Sequence, residues 1–237
     1  MEAVQFLQET RSRGEFERTP LISLRAKYVF FPVSKAANSS LKSLLFRCEL
    51  ATSRIPAPKD QRVHRAVCSP LLMPYQLPEE LLSNILCDSS FTKFAIVRNP
   101  YDRALSCFLD RIQKPHTRPY KKIARALGTS DISFVDFLRV ISNQRWADMD
   151  VHYRPQAVEI ARKYIDYDYI GHFESLEEDA RTVIDLIYPN MTDETLGFQS
   201  PAITEARRER EEFFGLEETK LAREIYGDDF YSFGYEI

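Results

Sequence analysis

The sequence predicts an α/β fold in which a mainly parallel central sheet is flanked by helices. Apolar segments typical of buried strands occur at residues 27–33, 91–97 and 167–173, and each is followed by a segment with helical periodicity. Strands that alternate with helices in this way form parallel sheets with helices on both faces. The chain has 237 residues, of which 44% are hydrophobic, so we expect one domain spanning residues 1–237.

The first predicted strand is the segment KYVFFPV at residues 27–33, which is rich in aromatic and β-branched side chains. A helix should follow with Asn38 as its N-cap, because the apolar residues after it recur at helical spacing. Prolines between residues 51 and 90, among them Pro56 and Pro58, favour a winding connection over long regular elements.

The second predicted strand, FTKFAIV at residues 91–97, leads into a helix that begins at Pro100 with Asn99 as its N-cap. After a basic segment that contains prolines, Ser133 should cap a helix whose apolar residues lie on one face. Pro155 then opens a further short helix, PQAVEIARKY.

The third predicted strand, YDYIGHF at residues 167–173, precedes a helix for which Ser175 and Glu178 form a capping box. The charged tail from Thr204 to Tyr226 is predicted as one more helix, packed by a narrow apolar stripe. Each predicted strand is thus followed by a helix.

Composition and charge exclude several classes of protein. The formal net charge of −3 argues against a general nucleic-acid-binding protein, so an anion site must arise from a local arrangement of charges. The cysteines show no C-x-x-C spacing and are predicted to be reduced core thiols. The sequence has neither a signal peptide nor an apolar run of ~20 residues, so we expect a cytoplasmic protein without a membrane span.

The turn after the first strand, SKAANSS at residues 34–40, has the outline of a phosphate-binding loop at the carboxyl end of a strand. It offers converging backbone N–H groups, a helix N-terminus and the cation of Lys35. It contains no glycine, however, and Lys35 comes first rather than near the end as in the G-x-x-x-x-G-K loop. A conventional ATP or GTP loop is therefore disfavoured, as is a dinucleotide-binding turn.

The turn after the second strand, RNPYDRALSCF, begins at Arg98. Arg103 and Ser106 lie nearly one turn apart on the surface of the predicted helix, and Arg98 lies just before its N-terminus. Arg98 and the Ser106 hydroxyl can hold a phosphate through charge-assisted hydrogen bonds. The alternative is a plain surface helix in which Arg103 pairs with a neighbouring carboxylate.

Together these motifs resemble those of sulfotransferases that use 3′-phosphoadenosine 5′-phosphosulfate, in particular the carbohydrate sulfotransferases of the HNK-1 and chondroitin or dermatan branch. SKAANSS is similar to the loop that holds the 5′-phosphosulfate, and RNPYDRALS is similar to the R-x-P-x-x-R-x-x-S segment that holds the 3′-phosphate. Residues 151–180 resemble the family's H-[WY]-x-P-Q run followed by Y-D-x-I-G-x-[FY]-E-[ST]-L-x-E-D. The resemblance covers residues 27–186, with Ser34 where proline is usual.

The resemblance implies a P-loop-like nucleotide-binding fold and in-line transfer of a sulfuryl group to a hydroxyl of an acceptor, in particular a carbohydrate. Adenosine 3′,5′-bisphosphate is the implied product. No metal is expected, because the reaction needs none and the sequence shows no cluster of metal ligands. The donor-binding residues that the resemblance implies are Lys35, Ala36, Ala37, Asn38, Ser39, Ser40, Arg98 and Ser106.

The reaction also needs a general base for the acceptor proton, and histidine suits this because its ordinary pKa lies near neutrality. His64 falls where related carbohydrate sulfotransferases carry a catalytic histidine, and it is predicted as the base, with Lys35 as the cation near the bridging oxygen. His152 is the alternative base, or together with Arg154 a contact to the acceptor. The basic segment 111–125 is either a solvated loop or a surface that attracts an anionic glycan.

Two other functions stay open from the sequence. A small-molecule or nucleotide kinase shares the strand-loop-helix arrangement, although a Gly-rich loop and a clear magnesium-binding carboxylate are missing from the sequence. A non-catalytic nucleotide- or glycan-binding module is the other alternative, and the departure at Ser34 motivates it.

Overall fold

The computed structural model describes residues 2–53, 63–191 and 205–237. The sheet that it describes has four strands in the order β1-β2-β3-β4, of which β2, β3 and β4 are parallel and β1 runs antiparallel to β2. The mainly parallel sheet and the three strands predicted from the sequence are confirmed, and β1 is an addition at the edge. The strands are β1 (Leu21–Ser23), β2 (Tyr28–Phe31), β3 (Thr92–Val97) and β4 (Tyr169–His172).

Helices cover both faces of this sheet and extend beyond it. None of those described is long and apolar enough to cross a lipid bilayer. They are α1 (Glu2–Glu9), α2 (Arg13–Phe16), α3 (Asn38–Thr52), α4 (Glu79–Cys87), α5 (Pro100–Cys107), α6 (Arg118–Leu127), α7 (Phe134–Ser142), α8 (Gln156–Glu159), α9 (Leu176–Ile187), α10 (Glu205–Phe213) and α11 (Leu216–Phe233).

Alternate residues of the strands enter different parts of the core. Tyr28 and Phe30 of β2 pack on the side covered by α3 and α9, whereas Val29 and Phe31 pack on the side covered by α1 and α4. A third apolar cluster joins α5, α7 and α11 beside the sheet. The predicted arrangement of helices around a central sheet is therefore confirmed.

Two predicted N-caps are confirmed, one is wrong, and one is correct in position but forms no capping hydrogen bond. The Asn99 side chain accepts hydrogen bonds from the first turn of α5, and the Ser133 hydroxyl accepts one from the N–H of Asp136. Asn38 is instead the first residue of α3, because Ala37 takes the cap position. Ser175 stands at the N-cap position of α9 as predicted, but its hydroxyl donates to the Asp179 carboxylate and accepts no capping hydrogen bond from the helix.

Three element boundaries differ from the prediction. The proline-rich connection contains α4 after Pro78, while Pro56 and Pro58 lie outside the described residues. Helix α8 has a single turn because the backbone becomes left-handed at Ala161, where φ is 49°. The charged tail forms α10 and α11 on either side of Gly215.

The four cysteines are all free, as a reduced state requires. Cys48 and Cys107 are buried, but Cys68 and Cys87 are exposed, so the predicted core location holds for only two of them.

Candidate functional site

A cavity of about 310 Å³ opens where the turns after β2 and β3 meet. The carboxyl ends of parallel strands are where the two candidate turns were expected to converge. Two of the predicted site residues do not line the cavity: Ala36, which belongs to the loop but is buried, and Arg154. The other predicted site residues all line the cavity: Lys35, Ala37, Asn38, Ser39, Ser40, His64, Arg98, Ser106 and His152.

The loop after β2 turns tightly without glycine because two of its residues adopt left-handed backbone conformations. The φ angle is 69° at Lys35 and 55° at Ala37. This region disfavours residues with a Cβ atom by about 1–2 kcal/mol each, so the conformation must be held by the surrounding structure.

Two arginines hold this conformation by binding the loop's carbonyl oxygens. Arg103 Nε donates to the Ser34 carbonyl at 3.0 Å, and Arg98 Nη1 donates to the Lys35 carbonyl at 3.1 Å. The first helical hydrogen bond of α3 then runs from Leu41 N to Ala37 O. The amides before Leu41 therefore form a helix N-terminus at the cavity, which is a ready site for an anion.

Arg98 follows the last residue of β3 and is only 2% exposed. Its guanidinium carbon lies 4.4 Å from the centroid of the Phe173 ring, which also lines the cavity. Burial lowers the pKa of Arg98, while the nearby carboxylates of Asp102 and Glu174 oppose that shift. The Arg98 guanidinium therefore lies at one wall of the cavity, beside the Phe173 ring.

Arg103 is a structural residue, which corrects the surface position predicted for it. It is 1% exposed and donates to the carbonyls of Arg154 at 2.8 Å and Val151 at 3.1 Å in addition to that of Ser34. One guanidinium thereby ties the loop after β2 to α5 and to the segment before α8.

The acceptor contact predicted for Arg154 is also corrected. Its side chain is 1% exposed and forms ion pairs with Glu159 at 2.6 Å and Glu15 at 3.0 Å. It also donates to the backbone carbonyls of Trp146 and Met149. A guanidinium with so many internal partners is unable to reach a ligand in the cavity.

The two candidate bases lie in different settings. His64 Nε2 is 2.8 Å from the Ser39 hydroxyl, and partial burial together with the cations of Lys42 and Arg111 lowers the pKa of His64. His152 Nδ1 is 2.5 Å from Asp150 Oδ1.

Asp150 itself is set apart from bulk water. Burial raises the pKa of Asp150, but the combined interactions with His152 and Arg118 outweigh burial, so this pKa lies below its ordinary value. The carboxylate therefore stays charged beside the imidazole of His152, where it can orient the ring.

Sequence reasoning missed Asp110, an acidic residue that lines the cavity. Its carboxylate accepts from Lys35 Nζ at 2.9 Å and from Lys114 Nζ at 2.7 Å. Burial raises the pKa of Asp110, but the hydrogen bonds from Lys114 and Lys35, together with the positive charges of Lys35 and Arg111, outweigh burial and hold this pKa well below its ordinary value. The available signal was its position four residues after Ser106, which places both on one helix face.

The segment 151–180, which resembles a further family motif, supports Arg98 from the side of β4. Glu174 accepts a hydrogen bond from the N–H of Asn99 at 2.8 Å. The preceding residue is Phe173, whose ring packs against the Arg98 guanidinium. A Cβ atom at Gly171 would lie 2.6 Å from Ile96 Cδ1 and 2.8 Å from Asp179 Cβ, so the close packing of β4 against β3 and α9 favours glycine here. The motif therefore acts mainly as a scaffold for the turn after β3.

Within the described residues, no group of three or more His, Cys, Asp or Glu side chains is arranged to hold a metal ion.

Comparison with known proteins agrees with this geometry. The model of a family described as the Sulfotransferase family matches residues 19–236. Carbohydrate sulfotransferase 10 of Homo sapiens is 27% identical over 241 residues, which cover 89% of this chain and 65% of that protein. Carbohydrate sulfotransferase 9 of Homo sapiens is 26% identical over 171 residues, covering 62% of this chain and 38% of that protein.

Carbohydrate sulfotransferase 8 of Mus musculus is 28% identical over 115 residues, covering 42% of this chain and 28% of that protein. The chain thus spans less than two thirds of the length of these relatives. No solved structure matches.

Proposed function

Because the chain belongs to the sulfotransferase family, we propose that it moves a sulfuryl group from 3′-phosphoadenosine 5′-phosphosulfate to a hydroxyl group of a carbohydrate. The observation that carries the proposal is the convergence of two turns on one cavity. Arg98 and Lys35 are 63 positions apart in the sequence, yet Arg98 Nη1 lies 3.1 Å from the Lys35 carbonyl. One nucleotide can therefore contact both turns with its separate phosphate groups.

The donor is proposed to bind by its two phosphate-bearing ends. The N-terminus of α3, with the hydroxyls of Ser39 and Ser40, takes the 5′-phosphosulfate, because this is where backbone N–H groups meet the cavity. Arg98 and Ser106 on the opposite turn take the 3′-phosphate. Adenosine 3′,5′-bisphosphate leaves after transfer.

In the transfer step the acceptor oxygen attacks sulfur as the bond from sulfur to the bridging oxygen breaks on the opposite side. Charge develops on that bridging oxygen, and Lys35 is proposed to stabilise it. His64 is proposed to take the acceptor proton, since its lowered pKa keeps the imidazole neutral at pH 7. His152 faces the same cavity and is the alternative base.

The His64 assignment has a direct test. The variant His64→Ala should lose transfer while it keeps its affinity for adenosine 3′,5′-bisphosphate, and His152→Ala is the parallel variant. If His64→Ala turns over as fast as the parent, His64 is not the base.

The donor class is tested by thermal stabilisation, because a ligand that binds only the folded state raises its apparent stability. Adenosine 3′,5′-bisphosphate should raise the melting temperature more than ATP or ADP does. Arg98→Ala should abolish that increment, whereas Arg145→Ala, at a side chain that is 84% exposed, should keep it. Equal stabilisation by ATP would contradict the proposed donor.

An anionic acceptor is the class that the surface beside the cavity supports best. Helix α6 packs against the π-helical turn Phe108–Ile112, whose Arg111 lines the cavity. Its exposed charged residues are all basic: Arg118, Lys121, Lys122 and Arg125. Such a face attracts a uronate-containing or already sulfated glycan, and the attraction weakens as salt rises.

The acceptor class is tested with the double variant Lys121→Glu/Lys122→Glu. The KM for an anionic glycan should rise and the KM for a neutral glycan should not. Bisphosphate affinity serves as the control for an intact donor site. Equal changes for both glycans would contradict an anionic acceptor, and binding without transfer to any glycan would indicate a binding module.

A further inference from the structure

We propose that Asp110 is a positioning residue for Lys35, which holds the ammonium group in the orientation that transfer uses. Lys35 Nζ donates to Asp110 Oδ2 at 2.9 Å inside the cavity. The inference rests on the proposed function, because it assigns Asp110 a part in the same reaction.

Lys35 needs such a partner because only its backbone is fixed by the loop. Arg98 binds its carbonyl oxygen, but the side chain is a four-carbon stem that ends in a compact charge. Immobilising a free lysine side chain costs conformational entropy, because several rotatable bonds must be held in one conformation. Among the described residues, Asp110 is the one ion-pair partner of Lys35, so it defines where the ammonium lies.

Asp110 lies where the backbone departs from regular α-helical geometry. Helix α5 ends at Cys107 and continues as a π-helical turn, Phe108–Ile112, a form that is rare and frequently found at functional sites. Asp110 lies one turn after Ser106 and lines the same cavity. The Lys35 side chain is 17% exposed and that of Asp110 is 36% exposed, so the pair is partly buried at the wall of the cavity.

Two further cations make a carboxylate tolerable in a cavity for anions. Lys114 Nζ lies 2.7 Å and Arg111 Nε 3.1 Å from the Asp110 carboxylate. With Lys35 included, three positive charges surround one negative charge, and the cluster keeps a positive surplus for an anion. The carboxylate still opposes a bound phosphate by like-charge repulsion, so its presence must have a compensating benefit.

Because Asp110 repels a bound phosphate but positions Lys35, its replacement should change binding and turnover differently. A merely structural role for Asp110 predicts no such difference. In Asp110→Asn the repulsion is removed, and the affinity for adenosine 3′,5′-bisphosphate should stay the same or rise by a few fold. The turnover number should fall about 10- to 100-fold, because Lys35 is no longer held where charge develops on the leaving oxygen. A loss of structure would lower affinity and turnover together.

A double-mutant cycle identifies Lys35 as the residue through which Asp110 acts. Lys35→Ala should slow turnover, and adding Asp110→Asn to it should cause no further decrease. Asp110→Glu, which keeps the charge, should restore part of the turnover lost in Asp110→Asn. The matched control is Asp228→Asn, which breaks an exposed pair between Lys163 and Asp228 outside the cavity and should match the parent.

The experiment measures bisphosphate affinity by calorimetry and turnover as release of bisphosphate from the donor, with a glycan or with water as acceptor. A turnover number unchanged in Asp110→Asn would overturn the inference. So would loss of bisphosphate binding in that variant, or equal slowing by Asp110→Asn in the parent and in Lys35→Ala. A parent that neither binds bisphosphate nor releases it from the donor would instead refute the proposed function, so the two failures are distinct.

Discussion

The side-chain amide of Gln156 forms hydrogen bonds with both backbone polar groups of Arg98. The N–H of Arg98 donates to Gln156 Oε1 at 2.9 Å, and Gln156 Nε2 donates to the Arg98 carbonyl at 2.8 Å. Asp229 of α11 accepts from the N–H groups of Gln156 and Ala157, each at 2.8 Å. A buried chain of hydrogen bonds thus leads from α11 to the arginine of the cavity.

Replacing the amide of Gln156 tests this connection. Gln156→Glu keeps the shape but loses the N–H donor, so the Arg98 carbonyl faces a carboxylate. We expect a loss of about 1–3 kcal/mol in unfolding free energy and a weaker affinity for adenosine 3′,5′-bisphosphate. Denaturant unfolding and calorimetry measure these quantities. Gln5→Glu, at an exposed residue of α1, should leave the bisphosphate affinity unchanged, and an unchanged affinity in Gln156→Glu would contradict the proposed link to Arg98.

The raised pKa of the buried Asp229 carboxyl group should make the stability of the protein depend on pH. Burial raises the pKa of Asp229 to about 6, above its ordinary value of 3.8. Between these pH values the folded state binds the proton that the unfolded state has released, so stability should fall as pH rises from about 4 to about 6. The loss from this group is on the order of 3 kcal/mol.

Asp229→Asn should remove this component. The difference in unfolding free energy between parent and variant, measured in urea at several pH values, should therefore change in favour of the variant as pH rises. A difference that stays constant from pH 4 to pH 7 would show that Asp229 keeps an ordinary pKa. Asp228→Asn, at the neighbouring exposed carboxylate, is the matched control.

The glycine-free loop predicts different responses at two adjacent alanines. Ala37→Gly relieves a left-handed backbone by about 1 kcal/mol and gives back a similar amount in unfolded-state entropy, so stability should change little. Ala36→Gly relieves no such conformation and loses a buried methyl group, so it should cost about 1–2 kcal/mol. Denaturant unfolding measures both, and equal destabilisation would contradict the role assigned to the left-handed conformation.

Arg103 should be irreplaceable by lysine although it does not line the cavity. Arg103→Lys keeps the charge but loses the planar group that reaches the carbonyls of Ser34, Val151 and Arg154. We expect a loss of about 2–4 kcal/mol in unfolding free energy, because buried carbonyls lose their donors. Bisphosphate affinity should fall as the loop loosens. Arg139→Lys on the surface is the control, and an unaltered affinity in Arg103→Lys would refute the coupling.

Local signals in the sequence were sufficient for the three parallel strands, for most of the helices and for the two turns that carry the site, but not for the short edge strand β1. Hydrophobic periodicity reports which side of an element is buried, and Asn99 and Ser133 were correct caps because a side chain there bonds the first turn of its own helix. The boundaries failed at Ala37 and Ala161, where the backbone is left-handed without glycine. Such conformations are imposed by distant contacts and leave no mark in the local sequence.

Short-range patterns in the sequence indicate the order of strand, turn and helix and the side chains that are able to bind a phosphate. Which of those side chains face the cavity depends on long-range contacts. Arg98 lines it, whereas Arg103 and Arg154 are internal because buried carbonyl and carboxylate groups from other segments surround their guanidiniums. Every buried polar group must find a partner, and those partners come from parts of the chain that only folding brings together.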